Sequence, residues 1–230
     1  PTTEVYAGVN VTDTNGESWG PVSGNTTWTY ESTFACSEGD ADFVLEGGGE
    51  HDNTATIVET GQFDNATVTV ECYDLDVAKD AVPTYTRTYE WDIDKSVSPA
   101  SHVLFPGQNG TSTYTVTVNK TGYADSAWAV TGTINITNPS SLPVELSSVT
   151  DSVGGVSAAV VCPSMIVPAG GSLECTYSAS LPDASTRTNL ATVTLAEGGQ
   201  TYSGSYEVVF GAPTTEVYAG VNVTDTNGES

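Results

Sequence analysis

Three polar residues stand where strand periodicity calls for apolar ones. In WDIDKSV (91–97), Trp91, Ile93, Lys95 and Val97 fall on one face. In SSVTDSV (147–153), Val149, Asp151 and Val153 do the same, and in NLATVTL (189–195) so do Asn189, Ala191, Val193 and Leu195. Alternate residues of a strand share a face, so a Lys, an Asp and an Asn are each directed at a core. Burying an isolated ammonium or carboxylate is costly unless it is paired or neutralised. Two arrangements meet that demand. One is a Lys95–Asp151 ion pair with Asn189 hydrogen-bonded to backbone. The other is covalent: burial lowers the Lys pKa and raises the Asp pKa, the neutral amine attacks the Asn189 side-chain amide, and loss of ammonia leaves an isopeptide bond.

A second set is less complete. Asp13 and Asn53 occupy positions like those of Asp151 and Asn189, but no Lys opens the strands before them. Lys79, in phase with Leu75 and Val77, is the candidate substitute. Carboxylates at alternating spacing occur in DTNGE (13–17), DAD (40–42), DLD (74–76) with Asp80, and DID (92–94). Oxygen-rich clusters at domain junctions suit Ca²⁺, and Asp74, Asp76 and Asp80 are the best-placed set; solvated acidic faces are the plainer reading. Sequons for N-glycosylation stand at Asn10, Asn25, Asn65, Asn109, Asn119, Asn135 and Asn222, with Asn65, Asn119 and Asn135 on the polar side of their strands. The only histidines, His51 and His102, sit in loops, and no G-x-S-x-G, H-E-x-x-H or phosphate-cradling Gly loop is present. The sequence therefore reads as non-enzymatic.

These residues must be positioned by strands. TYTVTV (113–118), WAVTGTINI (128–136) and NATVTV (65–70) alternate β-branched or aromatic residues with polar ones and are bounded by turn formers. The pattern predicts an all-β fold of antiparallel β-sandwiches. Residues 1–18, PTTEVYAGVNVTDTNGES, recur without change at 213–230. Such identity predicts a tandem array with a period of 212 residues, the offset between the two copies. A weaker repeat lies inside the period: VTDTNG (11–16) matches VTDSVGG (149–155), WTYESTF (28–34) matches CTYSASL (175–181), and NTATI (53–57) matches NLATV (189–193). The expected layout is a short Ig-like sandwich over 1–80, a stiff bridge over 81–90, a larger Ig-like sandwich over 91–212, and the start of the next period over 213–230.

Cysteine use and charge narrow the setting. Cys36 continues the apolar phase of Trp28, Tyr30 and Phe34, and Cys72 continues Val68 and Val70. Cys162 and Cys175 flank a Pro-Ala-Gly-Gly turn. Disulfides Cys36–Cys72 and Cys162–Cys175 are expected, in an oxidising compartment. The net charge of −24 arises from 29 acidic residues against only 5 Lys and Arg, which disfavours nucleic acid and anionic membranes as partners. No apolar run reaches the roughly 18 residues needed to span a bilayer.

WDIDKSVSP (91–99), followed by PGQNGTSTYTVTV, VTD and N-x-A-T-V, resembles the conserved Ig-like repeat of prokaryotic surface and stalk proteins, the family known as domain of unknown function eleven. The resemblance covers most of 91–210 and the latter half of 1–72. It implies an extracellular array that spaces or builds a cell-surface structure, without enzymatic activity. Isopeptide bonds occur in Ig-like repeats of bacterial adhesins and pili, where they tie first and last strands against tension. The expected function is thus a structural segment of an extracellular fibre, stalk or adhesin whose partners are neighbouring identical repeats or like fibres. Two alternatives remain. One is a glycan- or cell-binding module using Trp19 and Trp28, although Trp28 is expected in the core. The other is a separate subunit that polymerises by donating the edge strand EVYAGVNV (4–11).

Overall fold

The computed structural model describes residues 4–34, 36 and 49–227. These are all-β, with several antiparallel sheets and no helix among the described residues. None of them therefore forms a helix long and apolar enough to cross a membrane. The chain divides into two compact units, Pro1–Asp74 and Leu75–Ser230.

The first unit holds one sheet of β1 (Val9–Asp13), β2 (Ser18–Val22), β3 (Gly49–Ile57) and β4 (Phe63–Val70), in the order β2-β1-β3-β4. The β1–β2 turn is closed by the Asp13 carboxylate, which accepts from the Asn15 backbone N–H at 2.9 Å, and by Gly16 at φ 95°. Cys36 and Cys72 are disulfide-bonded as expected. The expectation that Trp28, Tyr30, Phe34 and Val68 mark a core is not met: all four are exposed. Trp28 stacks on Trp19 with ring centroids 5.2 Å apart. Among the described residues, no apolar side chain of this unit is buried. Among the described residues its single sheet has no second layer to bury against.

The second unit comprises β5 (Asp76–Lys79), β6 (Val82–Ser98), β7 (Thr113–Thr137), β8 (Val144–Val153), β9 (Val156–Ser157), β10 (Ala159–Val161), β11 (Ile166–Val167), β12 (Ser172–Ser180), β13 (Arg187–Leu195), β14 (Thr201–Val208) and β15 (Thr215–Val217). One sheet has the order β10-β12-β7-β6-β15, with β5 also paired to β7. The other runs β11-β8-β13-β14, with β9 on β8. Their inner faces meet in one core. Val130, Ile134, Ile136, Leu173, Cys175 and Tyr177 come from the first sheet, and Leu146, Val153, Ala191, Val193 and Val208 from the second. β12 alternates buried and exposed at every residue, the signature of a strand with one face on a core and one on solvent. The Cys162–Cys175 disulfide forms as expected and joins the segment after β10 to β12.

β7 is shared along its length. Ala129–Thr137 pairs with β12 on one edge, while the opposite edge takes β5 at Ile134–Thr137 and then β6 from Thr131 to Thr113. Residues 81–90, expected as a bridge, thus lie largely within β6. Beyond Trp91, β6 and β7 pair only with each other, as a two-stranded arm. Trp91, Ile93 and Val97, expected on a core face, are therefore not buried: the opposing sheet does not extend over them.

A candidate cross-link site in the second unit

Lys79, not Lys95, stands against Asp151. The Lys79 Nζ lies 2.5 Å from Asp151 Oδ1, and both side chains are fully buried. The placement follows from register. Lys79 sits opposite Ile134 on β7, so the phase Leu75, Val77, Lys79 delivers the ammonium to the core face. Asp151 on β8 pairs with Ala191 on β13, and Asn189 pairs with Val153. Asn189 is therefore the diagonal neighbour of Asp151 on the same inward face.

The electrostatics of the cluster are those of a dry pocket. Burial holds the Lys79 pKa below its usual value, against the opposing pull of Asp151. The Tyr177 ring lies 4.4 Å from Lys79 Nζ. Its hydroxyl donates to the Asp80 backbone carbonyl at 2.6 Å, and burial, reinforced by the Asp151 and Asp80 charges, pushes its pKa up to about 12. Two glycines let the strands close this tightly. A Cβ on Gly204 of β14 would collide with the Val77 carbonyl. One on Gly132 of β7 would come within 2.6 Å of the Asp80 carbonyl oxygen and 2.7 Å of the Tyr177 ring.

Asn189 is completely buried; neither its Nδ2 nor its Oδ1 makes a hydrogen bond of good geometry, the Tyr177 hydroxyl being close enough only for the amide to oppose the rise in its pKa, and Asp151 Oδ2 has no partner. Among the described residues these are the only buried side-chain polar atoms left unpaired. Each such atom costs about 1–3 kcal/mol, so three in one place call for an explanation. Burial favours the neutral Lys79 amine, which is the nucleophilic form. Attack by Lys79 Nζ on the Asn189 amide carbon would form one C–N bond and break another, with Nδ2 leaving as ammonia. Asp151 relays the proton from the amine to the leaving nitrogen and ends as it began. In the product Asp151 Oδ2–H can donate to the new amide carbonyl and Oδ1 can accept from its N–H, so every orphaned atom is either paired or gone.

Lys95 is on the arm, 2.5 Å from Asp225 Oδ2. Phase put it on the correct sheet face but at the wrong end of the sheet. In the first unit, Asn53 Nδ2 donates to Asp13 Oδ2 at 3.1 Å, and the Tyr30 hydroxyl donates to Asp13 Oδ1 at 2.9 Å. Asn53 Nδ2 also contacts the Tyr30 hydroxyl oxygen. Asp13 and Asn53 thus stand together, but Lys79, the lysine suggested for them, contacts Asp151 of the other unit.

The remaining candidates separate cleanly. Among the described residues no group of three or more His, Cys, Asp or Glu converges to hold a metal, so Asp74, Asp76 and Asp80 form no Ca²⁺ site. Asp80 instead fills the gap between β5 and β6 along the edge of β7, accepting from Thr133 N–H at 2.6 Å. Asp40 and Asp42 lie outside the described residues. Asn10, Asn25, Asn65, Asn109, Asn119 and Asn222 are exposed and Asn135 is half-buried; the Asn10 amide is engaged by Glu59 at 2.7 Å. Compared with known family models, with curated proteins and with solved structures, the chain finds no match.

Proposed function

We propose that this chain is a load-bearing segment of an extracellular tandem-repeat fibre or stalk, built from Ig-like β-sandwiches and locked by an isopeptide bond between Lys79 and Asn189. The observation that carries the reading is the buried Lys79–Asp151–Asn189 cluster with its three unpaired polar atoms. The strands bearing these residues lie far apart in sequence. A bond from β5, the first strand of the second unit, to β13 would short-circuit almost the whole unit against an axial pull. The two disulfides agree with this setting, since they persist in oxidising, non-cytoplasmic compartments. The resemblance of 91–210 to the surface-protein repeat, and the exact recurrence of 1–18 at 213–230, support an array whose partners are its own neighbouring repeats.

The test is the intact mass of the chain, denatured and fully reduced. A deficit of one ammonia is expected, abolished by Lys79→Ala or Asn189→Ala and unaffected by Lys95→Ala. The full calculated mass would overturn the cross-link, leaving Lys79 and Asp151 as a buried ion pair.

A further inference from the structure

We propose that the β6–β7 arm of each period completes the first unit of the following period, where Lys95 becomes cross-linked to Asn53 of that following period. The inference rests on the tandem-array reading, because residues 213–230 are taken as residues 1–18 of the next period.

The same eighteen residues occur twice, with different partners. In the first copy, Val9–Asp13 forms β1, held between β2 and β3. Asp13 Oδ1 accepts from Asn15 N–H, and Oδ2 faces Asn53. In the second copy the equivalent Asp225 makes the same turn, with Oδ1 accepting from Asn227 N–H at 2.9 Å, but its Oδ2 faces Lys95. Both copies bend at the same left-handed tyrosine, Tyr6 at φ 61° and Tyr218 at φ 55°. The contacts do not compete. The second copy reaches the arm through Thr215–Val217, parallel to Thr86–Thr88, and through Trp91 Nε1–H donating to the Tyr218 carbonyl at 2.8 Å. The first copy uses Val9–Asp13 for its own sheet. One copy making both sets of contacts would hold a single carboxylate between Lys95 and Asn53.

That arrangement reproduces the site already present in the second unit. Asp13 pairs with Ala55 on an antiparallel neighbour, placing Asn53 two residues along; Asp151 pairs with Ala191, placing Asn189 two residues along. Tyr30 stands by Asp13 and Asn53 as Tyr177 stands by Lys79 and Asp151, and the two tyrosines fall at matching positions of the internal repeat. Lys79 and Lys95 both lie on strands paired to β7, on the same face. The first unit has every part of the cluster except the lysine.

Surface chemistry points the same way. On the arm, Ile93, Lys95 and Val97 pair across with Val118, Val116 and Tyr114. Ile93 is 58% exposed, Tyr114 53%, Val116 39% and Val97 37%. This apolar face surrounding one cation continues the face that, nearer β12, builds the second unit's core. The first unit conversely carries an open groove of about 840 Å³ whose lining is mixed, with Phe34, Ala66 and Val68 beside Glu50, Asp52 and Asn53, and no buried apolar side chain among its described residues. Among the described residues, each surface lacks a covering layer of the kind the other would provide. Donation of paired strands to an incomplete sheet unit is an established mode of joining chains. The covalent step balances as before: Lys95 Nζ forms an amide with the Asn53 side-chain carbonyl carbon, the carboxylate of the intervening Asp takes a proton from that amine and delivers it to Nδ2, and the Cγ–Nδ2 bond breaks to release one ammonia. The load path then crosses each junction covalently through side chains as well as through the backbone.

The test uses a chain of two consecutive periods ending in residues 213–230, analysed by intact mass and by mass spectrometry of its proteolytic peptides. Three ammonias are expected to be lost: one for Lys79–Asn189 in each period, and one joining Lys95 of the first period to Asn53 of the second. Lys95→Arg in the first period, which keeps the charge beside Asp but cannot form the bond, should restore one ammonia and abolish the branched peptide. Loss of only two, both mapped to Lys79–Asn189, would overturn this inference and leave the proposed function standing. A single loss, mapped to Lys95–Asn53, would support it while removing the Lys79 bond, and no loss would remove both.

Discussion

Replacing Asn189 by Ala separates the covalent site from an ion pair, because the two predict opposite signs. In the cross-linked protein the bond closes a loop of 189 − 79 = 110 residues. The chain entropy removed from the unfolded state by closing a loop of that length amounts to about 5 kcal/mol. Asn189→Ala abolishes the closure while leaving Lys79 and Asp151 paired. For a unit of this size, each kcal/mol moves the midpoint by about 2–4 °C, so the variant should melt about 10–20 °C below the wild type. Without a bond, the same substitution deletes two buried polar atoms that lack partners. Each such atom costs about 1–3 kcal/mol, offset in part by the small cavity left behind, so the variant should melt at or above the wild type. The assay is calorimetric unfolding with disulfides intact, alongside the mass of the same sample. A variant as stable as the parent, with a mass differing from it only by the substitution, would refute the reasoning.

Further outcomes follow from the same geometry. Gly204→Ala places a methyl group against the Val77 carbonyl and should push β5 from its seat, costing about 1–3 kcal/mol and leaving a fraction of molecules at full, unlinked mass. Replacing Cys162 and Cys175 by Ser opens a short loop, with a sequence separation of 13. This should cost about 3 kcal/mol in chemical denaturation while the ammonia deficit persists, since the cross-link is a separate closure. Asp183 is held at a pKa of about 2, below 3.8, by hydrogen bonds from Ser185 and then Arg187. A carboxylate depressed in the folded state contributes stability that is complete above pH 3.8 and is lost as pH falls through about 2. Asp183→Asn should therefore flatten the stability–pH curve in that interval, measured by thermal melts across acidic buffers.

Legibility in the sequence tracked locality. The β class and the inward phase of Asp151 and Asn189 were readable because each depends on alternation within one strand, and both disulfide pairings were readable because four cysteines fall into two well-separated pairs. The same alternation placed Lys79 and Lys95 on the same kind of face, and there it stopped being decisive. Which lysine meets Asp151 depends on how the twenty-five residues of β7 are divided between β5, β6 and β12, and on where the opposing β8-β13-β14 sheet ends. Period-2 reasoning assigns a side chain to a face; it does not say whether another layer covers that stretch of the face. For that reason Ile93, Val97, Trp28 and Val68, all read as core, are exposed or only partly covered, and for the same reason the second unit begins at Leu75, before the stretch read as a bridge. The sequence by itself determined the recurrence of 1–18 at 213–230, the β class and the types of residue that the proposed cross-link needs. Only the tertiary structure decided their pairing, because burial of a charge is a property of two packed sheets and not of one strand.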